Sequence, residues 1–349
     1  MTATDLARRA AELSATEPQL RARDAARKLG VGEMELLALG LGRTATRLKG
    51  PWEEILKSLA LLGPVMALTR NEHCVHEKTG VYENVSFNGH VGLALGEAID
   101  LRIFIANWAS GFAVDETSSK SARRSLQFFD AQGNAVHKVY TTNNTITAEY
   151  DALIARFRHP EQTPPATTAA IAPAAPRPDS AIDVAGFRAA WDGLKDTHDF
   201  FPMLRKFKVA REQALRLGGN GRARRASPQA LRQVLQSAAG RDMPIMVFVG
   251  NPGIIQIHTG PVKKLLEAGP WYNVMDPGFN LHLRETAIAN AWVVAKPTTD
   301  GQVTSLELFD DAGETIAMLF GKRKPGQPED TAWRALAESL PAPAAAAAQ

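Results

Sequence analysis

Several stretches combine residue types that could do chemistry, and each also has a plainer reading. His73-Cys-Val-His76 followed by Glu77 offers imidazole, thiol and carboxylate to a metal ion. Two histidines three apart on a strand point to opposite faces, so a structural role is the commoner explanation. Leu217-Gly-Gly-Asn-Gly221 is glycine-rich, but it has neither the Lys-Ser/Thr of a phosphate loop nor a strand before it, and reads as a helix C-cap and loop. Residues 25–39 pattern as helix, Leu-Gly-Val turn and helix, the outline of a DNA-binding helix-turn-helix. The second of those helices opens Glu33-Met-Glu-Leu-Leu, acidic where phosphates would lie, and the related segment 203–217 carries Lys208 where the turn glycine stands. No Ser/His/Asp arrangement, Walker loop or dinucleotide-binding fingerprint is present.

Among the histidines, His90 follows Asn88-Gly89 as a turn residue, while His137 and His159 lie near a turn and a Pro-rich stretch and read as surface. His198 differs from these. It sits in Lys195-Asp-Thr-His-Asp-Phe-Phe-Pro202, at a helix start where Pro202 is tolerated and Asp199 or Thr197 can cap. Phe200 and Phe201 follow, and after them a basic run of Arg205, Lys206, Lys208, Arg211, Arg216, Arg222, Arg224 and Arg225. One imidazole, flat apolar walls and cations are what a haem requires: an axial ligand, faces for the porphyrin and partners for the propionates. From the pattern alone, a capped structural histidine and a solvated basic helix face are the commoner readings of the same residues.

The chain around these residues is long enough for two domains, at 349 residues, and its 45% apolar content gives each a core. A single cysteine, Cys74, excludes an internal disulfide and a four-cysteine zinc site. The net charge of +3 is mildly basic, far from the excess of a protein that coats nucleic acid, so no specific nucleic-acid partner is expected. Residues 1–19 mix acidic and basic side chains without an apolar stretch fit for a signal peptide, and no later run approaches membrane-spanning length. The expectation is a cytoplasmic protein that is not embedded in a membrane.

Two halves repeat. Ser125-Leu-Gln-Phe-Phe-Asp-Ala-Gln-Gly133 aligns with Ser305-Leu-Glu-Leu-Phe-Asp-Asp-Ala-Gly313 at an offset of 180, and Pro64-Val-Met-Ala-Leu68 aligns with Pro244-Ile-Met-Val-Phe248 in the same register. Residues 159–182 turn to Pro, Ala and Thr and read as a semi-rigid linker. The expected domains are 1–158 and 183–335, with 336–349 a Pro/Ala tail. In each half helical periodicity comes first (20–41 and 52–62; 200–217 and 227–238). Short alternating runs follow, among them 65–68, 81–87, 101–106, 125–130 and 136–140, joined by tight turns such as Gln132-Gly133 and Asp310 to Gly313. Helices segregated to one side of antiparallel sheets give an α+β class, present twice.

Taken together, Arg70-Asn-Glu-His-Cys-Val-His-Glu-Lys-Thr-Gly-Val-Tyr82, Leu101-Arg-Ile-Phe104, His198-Asp-Phe-Phe, Trp271-Tyr-Asn-Val, Ala295-Lys-Pro-Thr and Thr304-Ser-Leu-Glu-Leu-Phe-Asp resemble the HemS family of bacterial cytoplasmic hemin-transport and hemin-degrading proteins. The resemblance implies a duplicated fold holding one haem b per chain on the C-terminal half, near the N-terminal half. Carried onto this sequence, it implies that His198 is the axial iron ligand. Arg102 would approach iron from the opposite face, as the distal catalytic group if the protein is an enzyme. Phe104 and Phe248 would be wall residues, and Arg211, Lys296 and Arg323 basic residues at the porphyrin edge, where propionate contacts or a hydrogen-bond network are expected. The duplicate of Arg102 is His282. Some family members present Gln and Tyr to the pocket where this chain has Met318 and Phe320, which removes hydrogen-bonding groups. The implied role is iron acquisition: haem is received from an inner-membrane transporter and passed to a haem oxygenase. An oxygenase-like degradation of haem by the protein itself is the alternative, and a DNA-binding regulator a remote one.

Overall fold

The computed structural model describes residues 2–117, 122–169, 175–324 and 326–344. The chain divides into two compact units, one of residues 1–70, 77–171 and 251–256, the other of residues 71–76, 172–250 and 257–349. Each half of the sequence therefore supplies six residues to the unit built from the other half.

The first unit opens with α1 (Ala3–Thr16), α2 (Ala22–Leu29) and α3 (Glu33–Ala38), then β1 (Ala45–Leu48) and α4 (Trp52–Ser58). Next come β2 (Val65–Arg70), β3 (Cys74–Gly80), β4 (Ser86–Asn88), β5 (Val91–Leu95), β6 (Asp100–Phe104), β7 (Ser110–Thr117), β8 (Ala122–Phe129), β9 (Ala135–Thr141) and α5 (Thr147–Phe157). Within the unit β1, β7, β8, β9 and β2 lie side by side in that order, all antiparallel, and β4, β5 and β6 form an antiparallel meander. The alternation of residues 81–87 predicts a strand there. Asn84 takes a positive φ of 48°, which a strand does not accommodate, and the pairing breaks between β3 and β4.

The second unit repeats the order: α6 (Val184–Asp192), α7 (Phe200–Phe207), α8 (Arg211–Gly218), β10 (Ala223–Ala226), α9 (Ala230–Gly240), β11 (Ile245–Asn251), β12 (Ile254–Gly260), β13 (Leu265–Ala268), β14 (Trp271–Asp276), β15 (Phe279–Arg284), β16 (Asn290–Thr298), β17 (Gly301–Phe309), β18 (Thr315–Gly321) and α10 (Thr331–Ser339). Here β10, β16, β17, β18 and β11 are neighbours, and β13 to β15 form the meander. The duplication extends to irregularities. Both β8–β9 and β17–β18 shift register at their closing residue, Phe129 and Phe309. Both turns are drawn tight by an aspartate: Asp130 Oδ1 accepts from the amides of Gln132 (2.9 Å) and Asn134 (2.8 Å), and Asp310 Oδ1 from those of Ala312 (3.0 Å) and Glu314 (2.9 Å).

Each unit closes on a helix rather than on the strands that the sequence pattern suggested. α5 buries Tyr150, Leu153 and Phe157, and α10 buries Trp333, Leu336 and Ala337. The six-residue segments are also held by matching residues. In the second unit Asn71 donates to the carbonyls of Ile316 (2.8 Å) and Gly250 (3.2 Å) and accepts from the amides of His73 (3.0 Å) and Cys74 (2.9 Å). In the first unit Asn251 donates to the carbonyls of Arg70 and Val136, both at 2.9 Å, and accepts from the Gly253 amide at 3.0 Å. No helix among the described residues is long and apolar enough to cross a membrane.

Candidate functional site

His198 lies on a single 3₁₀ turn, Thr197–Asp199, that runs directly into α7. The capping group is Asp196, not the Asp199 or Thr197 expected from sequence. Asp199 makes no side-chain cap bond to α7, whereas Asp196 Oδ1 accepts the His198 amide at 2.8 Å. The same oxygen meets His198 Nδ1 at 2.6 Å. A carboxylate can only accept, so Nδ1 carries the ring proton and the lone pair is left on Nε2. The His198 side chain is 82% exposed. Hydrogen bonding to the His198 amide, aided by the bond to the ring and opposed by burial, lowers the Asp196 pKa and keeps the carboxylate charged.

α7 buries Phe200 and leaves Phe201 exposed. The Phe200 ring packs edge-on against Trp191 at 4.7 Å and is approached by two cations, Lys296 Nζ at 4.5 Å from its centroid and the Arg211 guanidinium at 5.4 Å. Both belong to a buried cluster around Glu307. Arg211 Nε and Nη2 donate to the two carboxylate oxygens at 2.8 and 3.0 Å, Lys296 Nζ donates at 2.7 Å, and Ser305 Oγ at 3.0 Å. Burial alone would raise the Glu307 pKa. The two adjacent cations outweigh it and hold the carboxyl at about 2. Burial pushes the Lys296 pKa down, against the pull of Glu307. Glu307 was not singled out in the sequence, although it is the one charged residue within the apolar run Leu306 to Phe309.

The sheet face beside this cluster is apolar. Met318 pairs in register with both Glu307 and Phe248, and Phe320 with Met246. Arg211 Nη2 donates to Met318 Sδ at 3.0 Å, and the Phe248 and Phe320 rings lie 4.9 Å apart. Met246, Phe248, Met318 and Phe320 are all half-buried. Arg323, just beyond β18, reaches Asp300 at 3.3 Å, while its Nε is buried without a hydrogen-bond partner. Contacts within the second unit thus bring together Arg211, Lys296, Met318, Phe248 and Phe320, while His198 stands on the turn just before α7 and Arg323 just beyond β18. Arg102 and Phe104 belong to the first unit, on β6. Arg102 donates to the Asp100 carboxylate and to the Leu101 carbonyl, and the Phe104 amide donates to the Gly253 carbonyl at 2.9 Å.

Half of the basic run, Arg211 and three further arginines, is engaged by internal partners. Arg216 pairs with Asp179, Arg222 with Asp192, and Arg224 donates to the last carbonyls of α10. Among the other candidate motifs, Glu33 and Met34 are buried at the start of α3, which leaves that helix without the exposed N-terminal residues a groove reader needs. Cys74 lies in the core of the second unit, where burial pushes its thiol pKa up. His137 is not a surface residue. It is 1% exposed, with Thr69 Oγ1 at 2.9 Å from Nδ1 and Tyr82 OH at 2.6 Å from Nε2, and burial lowers its pKa to about 3.

Comparison with known proteins agrees over nearly the whole chain. The family described as "Haemin-degrading HemS.ChuX domain" matches twice, over residues 30–157 and 208–340. The hemin transport protein HmuS of Yersinia pestis is 42% identical over 329 residues, 93% of each chain. The crystal structure of holo-PhuS, a heme-binding protein from Pseudomonas aeruginosa, is similar with a TM-score of 0.95 and 48% identity, covering 98% of this chain and 100% of that one. The heme degrading enzyme ChuS of Escherichia coli O157:H7 follows with a TM-score of 0.91 and 40% identity over 97% of this chain and 100% of its own.

Proposed function

The chain belongs to the HemS family, and on that footing we propose that it binds haem through His198 and holds it for transfer within an iron-acquisition route. The observation that carries this reading is the imidazole itself, tied at Nδ1 by Asp196 and turned outward with a free Nε2 lone pair at the mouth of α7. When bound, haem supplies a ferric iron that accepts such a nitrogen. The residues around it suit the rest of the molecule. Met246, Phe248 and Phe320 offer an apolar face that excludes water. Arg211 and Lys296 are two cations on a single carboxylate, so one net positive charge is stored against Phe200, favouring a dianionic porphyrin over a neutral one.

We take the stoichiometry as one haem b per chain. α2 and α7 are both eight residues long and both end at a left-handed residue, Gly30 or Lys208. Counting back from these, Leu20 occupies in the first unit the position of His198, so the repeat supplies no second imidazole there. Met318 and Phe320 present a thioether and a phenyl ring rather than an amide and a hydroxyl, which favours holding and passing haem on over opening the porphyrin. Delivery by an inner-membrane transporter and release to an oxygenase, in the cytoplasm, complete the proposal. The lone buried thiol suits a reducing compartment.

Haem titration of the apoprotein, followed by absorbance, tests it. Wild type is expected to give a saturable one-to-one Soret shift, and His198→Ala a weaker complex with a different spin state and unchanged far-ultraviolet dichroism. No saturable shift in the wild type would overturn the assignment.

A further inference from the structure

Asp196 does more than an N-cap requires. A cap satisfies an unpaired backbone N–H near the start of a turn or helix, and the bond from the His198 amide to Oδ1 at 2.8 Å does that. The second bond, from His198 Nδ1 to the same oxygen at 2.6 Å, serves no backbone need. It ties the ring of a side chain that is otherwise 82% exposed, and so fixes a rotamer and a proton position that solvent would leave mobile. Among the described residues no cation draws the carboxylate away. Its side-chain partners are His198 and, at 3.4 Å, the Thr197 hydroxyl.

We propose that Asp196 is a positioning residue for His198, imposing the tautomer whose lone pair is on Nε2 and, through its negative charge, strengthening that nitrogen as a donor to ferric iron. This rests on the reading of His198 as the ligand. The physical basis is general: a histidine ligand is oriented by whatever its second nitrogen donates to, and an anionic acceptor makes the ring a stronger base than a neutral one. Charge at position 196 therefore favours ferric over ferrous iron, while geometry at position 196 governs whether the ring is presented at all.

Substitution separates the two effects. Asp196→Asn retains an oxygen that can cap the turn and accept from Nδ1, but removes the charge. Asp196→Ala removes both. In the apoprotein labelled with nitrogen-15 in its imidazoles, at a pH where the ring is neutral, nitrogen–proton correlation spectra are expected to show the proton on Nδ1 of His198 in wild type and in Asp196→Asn. In Asp196→Ala it is expected to move largely to Nε2. In the haem complex, Asp196→Asn is expected to lower the ferrous iron–histidine stretching frequency, to raise the midpoint potential and to weaken ferric haem binding roughly tenfold, the lower end of what loss of an outer partner does at a metal site. An unchanged tautomer in Asp196→Ala overturns the positioning role. An unchanged stretching frequency and potential in Asp196→Asn overturns the role of the charge. Failure of wild type to bind haem would instead remove the functional reading, and the apoprotein spectra would still decide whether Asp196 fixes the ring.

Discussion

The two units build the same corner from opposite charges. At the start of α3 the first unit has Glu33, paired with Lys138 on β9 and Arg70 on β2. At the start of α8 the second unit has Arg211, which meets Glu307 on β17 and Met318, the residue of β18 that corresponds to Lys138. Lys296 completes the second cluster. Each cluster has one carboxylate serving two cations, although no member keeps its charge from one unit to the other. Both units therefore close an ion cluster between the third helix and the sheet, with different charges at matching positions. A second contrast runs beside it. Thr69, Tyr82 and His137 form a buried polar chain in the first unit, and the corresponding residues of the second are Val249, Val262 and Ala317, all buried.

The sharpest way to break this equivalence is to remove each central carboxylate. Glu307→Ala leaves Arg211 and Lys296 without a counter-charge, and Glu33→Ala does the same to Arg70 and Lys138. Each is expected to lose about 3–5 kcal/mol of stability in guanidinium unfolding. A large loss in one unit and none in the other would show that only one cluster is structural.

The polar chain makes a smaller difference, and one that depends on pH. His137 titrates at about 3 in the folded protein, below its ordinary 6.5, because burial opposes its charged form. The unfolded chain therefore binds the proton first, so stability is full above pH 6.5 and declines as pH falls towards 3. The expected loss is roughly 2 kcal/mol between pH 6.5 and 5, and His137→Gln should flatten that limb. The corresponding residue of the second unit is Ala317, so an unaltered limb in the variant would mean that another residue titrates there.

The smallest effect concerns the turn between the helices. Lys208 holds the left-handed conformation, φ 55°, that Gly30 holds without strain in the first unit. Lys208→Gly is expected to gain about 1 kcal/mol, read as a higher thermal midpoint, and Gly30→Lys to lose a similar amount.

The duplication was legible because its signal is local. The aspartate-led turns at Asp130 and Asp310 and the apolar strands before them fix their own conformation. The helix that follows His198 was legible for the same reason, and Asp196 stands two residues before the imidazole. What the sequence hid were residues whose state depends on remote partners. His137 and Lys138 adjoin a turn and read as exposed strand residues, yet β9 is covered on both faces, and their partners stand at Thr69, Tyr82 and Glu33. Glu307 looks like the solvent side of an alternating strand until Arg211, nearly a hundred residues away in the chain, is placed over it. The closing helices α5 and α10 were missed because the antiparallel pattern before each one ends cleanly in a turn.

The six-residue segments anchored by Asn71 and Asn251 bear on how the protein is made. The first unit includes residues 251–256, so a ribosome that has finished the N-terminal half has not yet supplied all of that unit. Its last strand contacts wait for about eighty more residues of synthesis. The two halves cannot be matured one after the other like beads on a string. During that interval the nascent first half lacks residues 251–256 of its own unit.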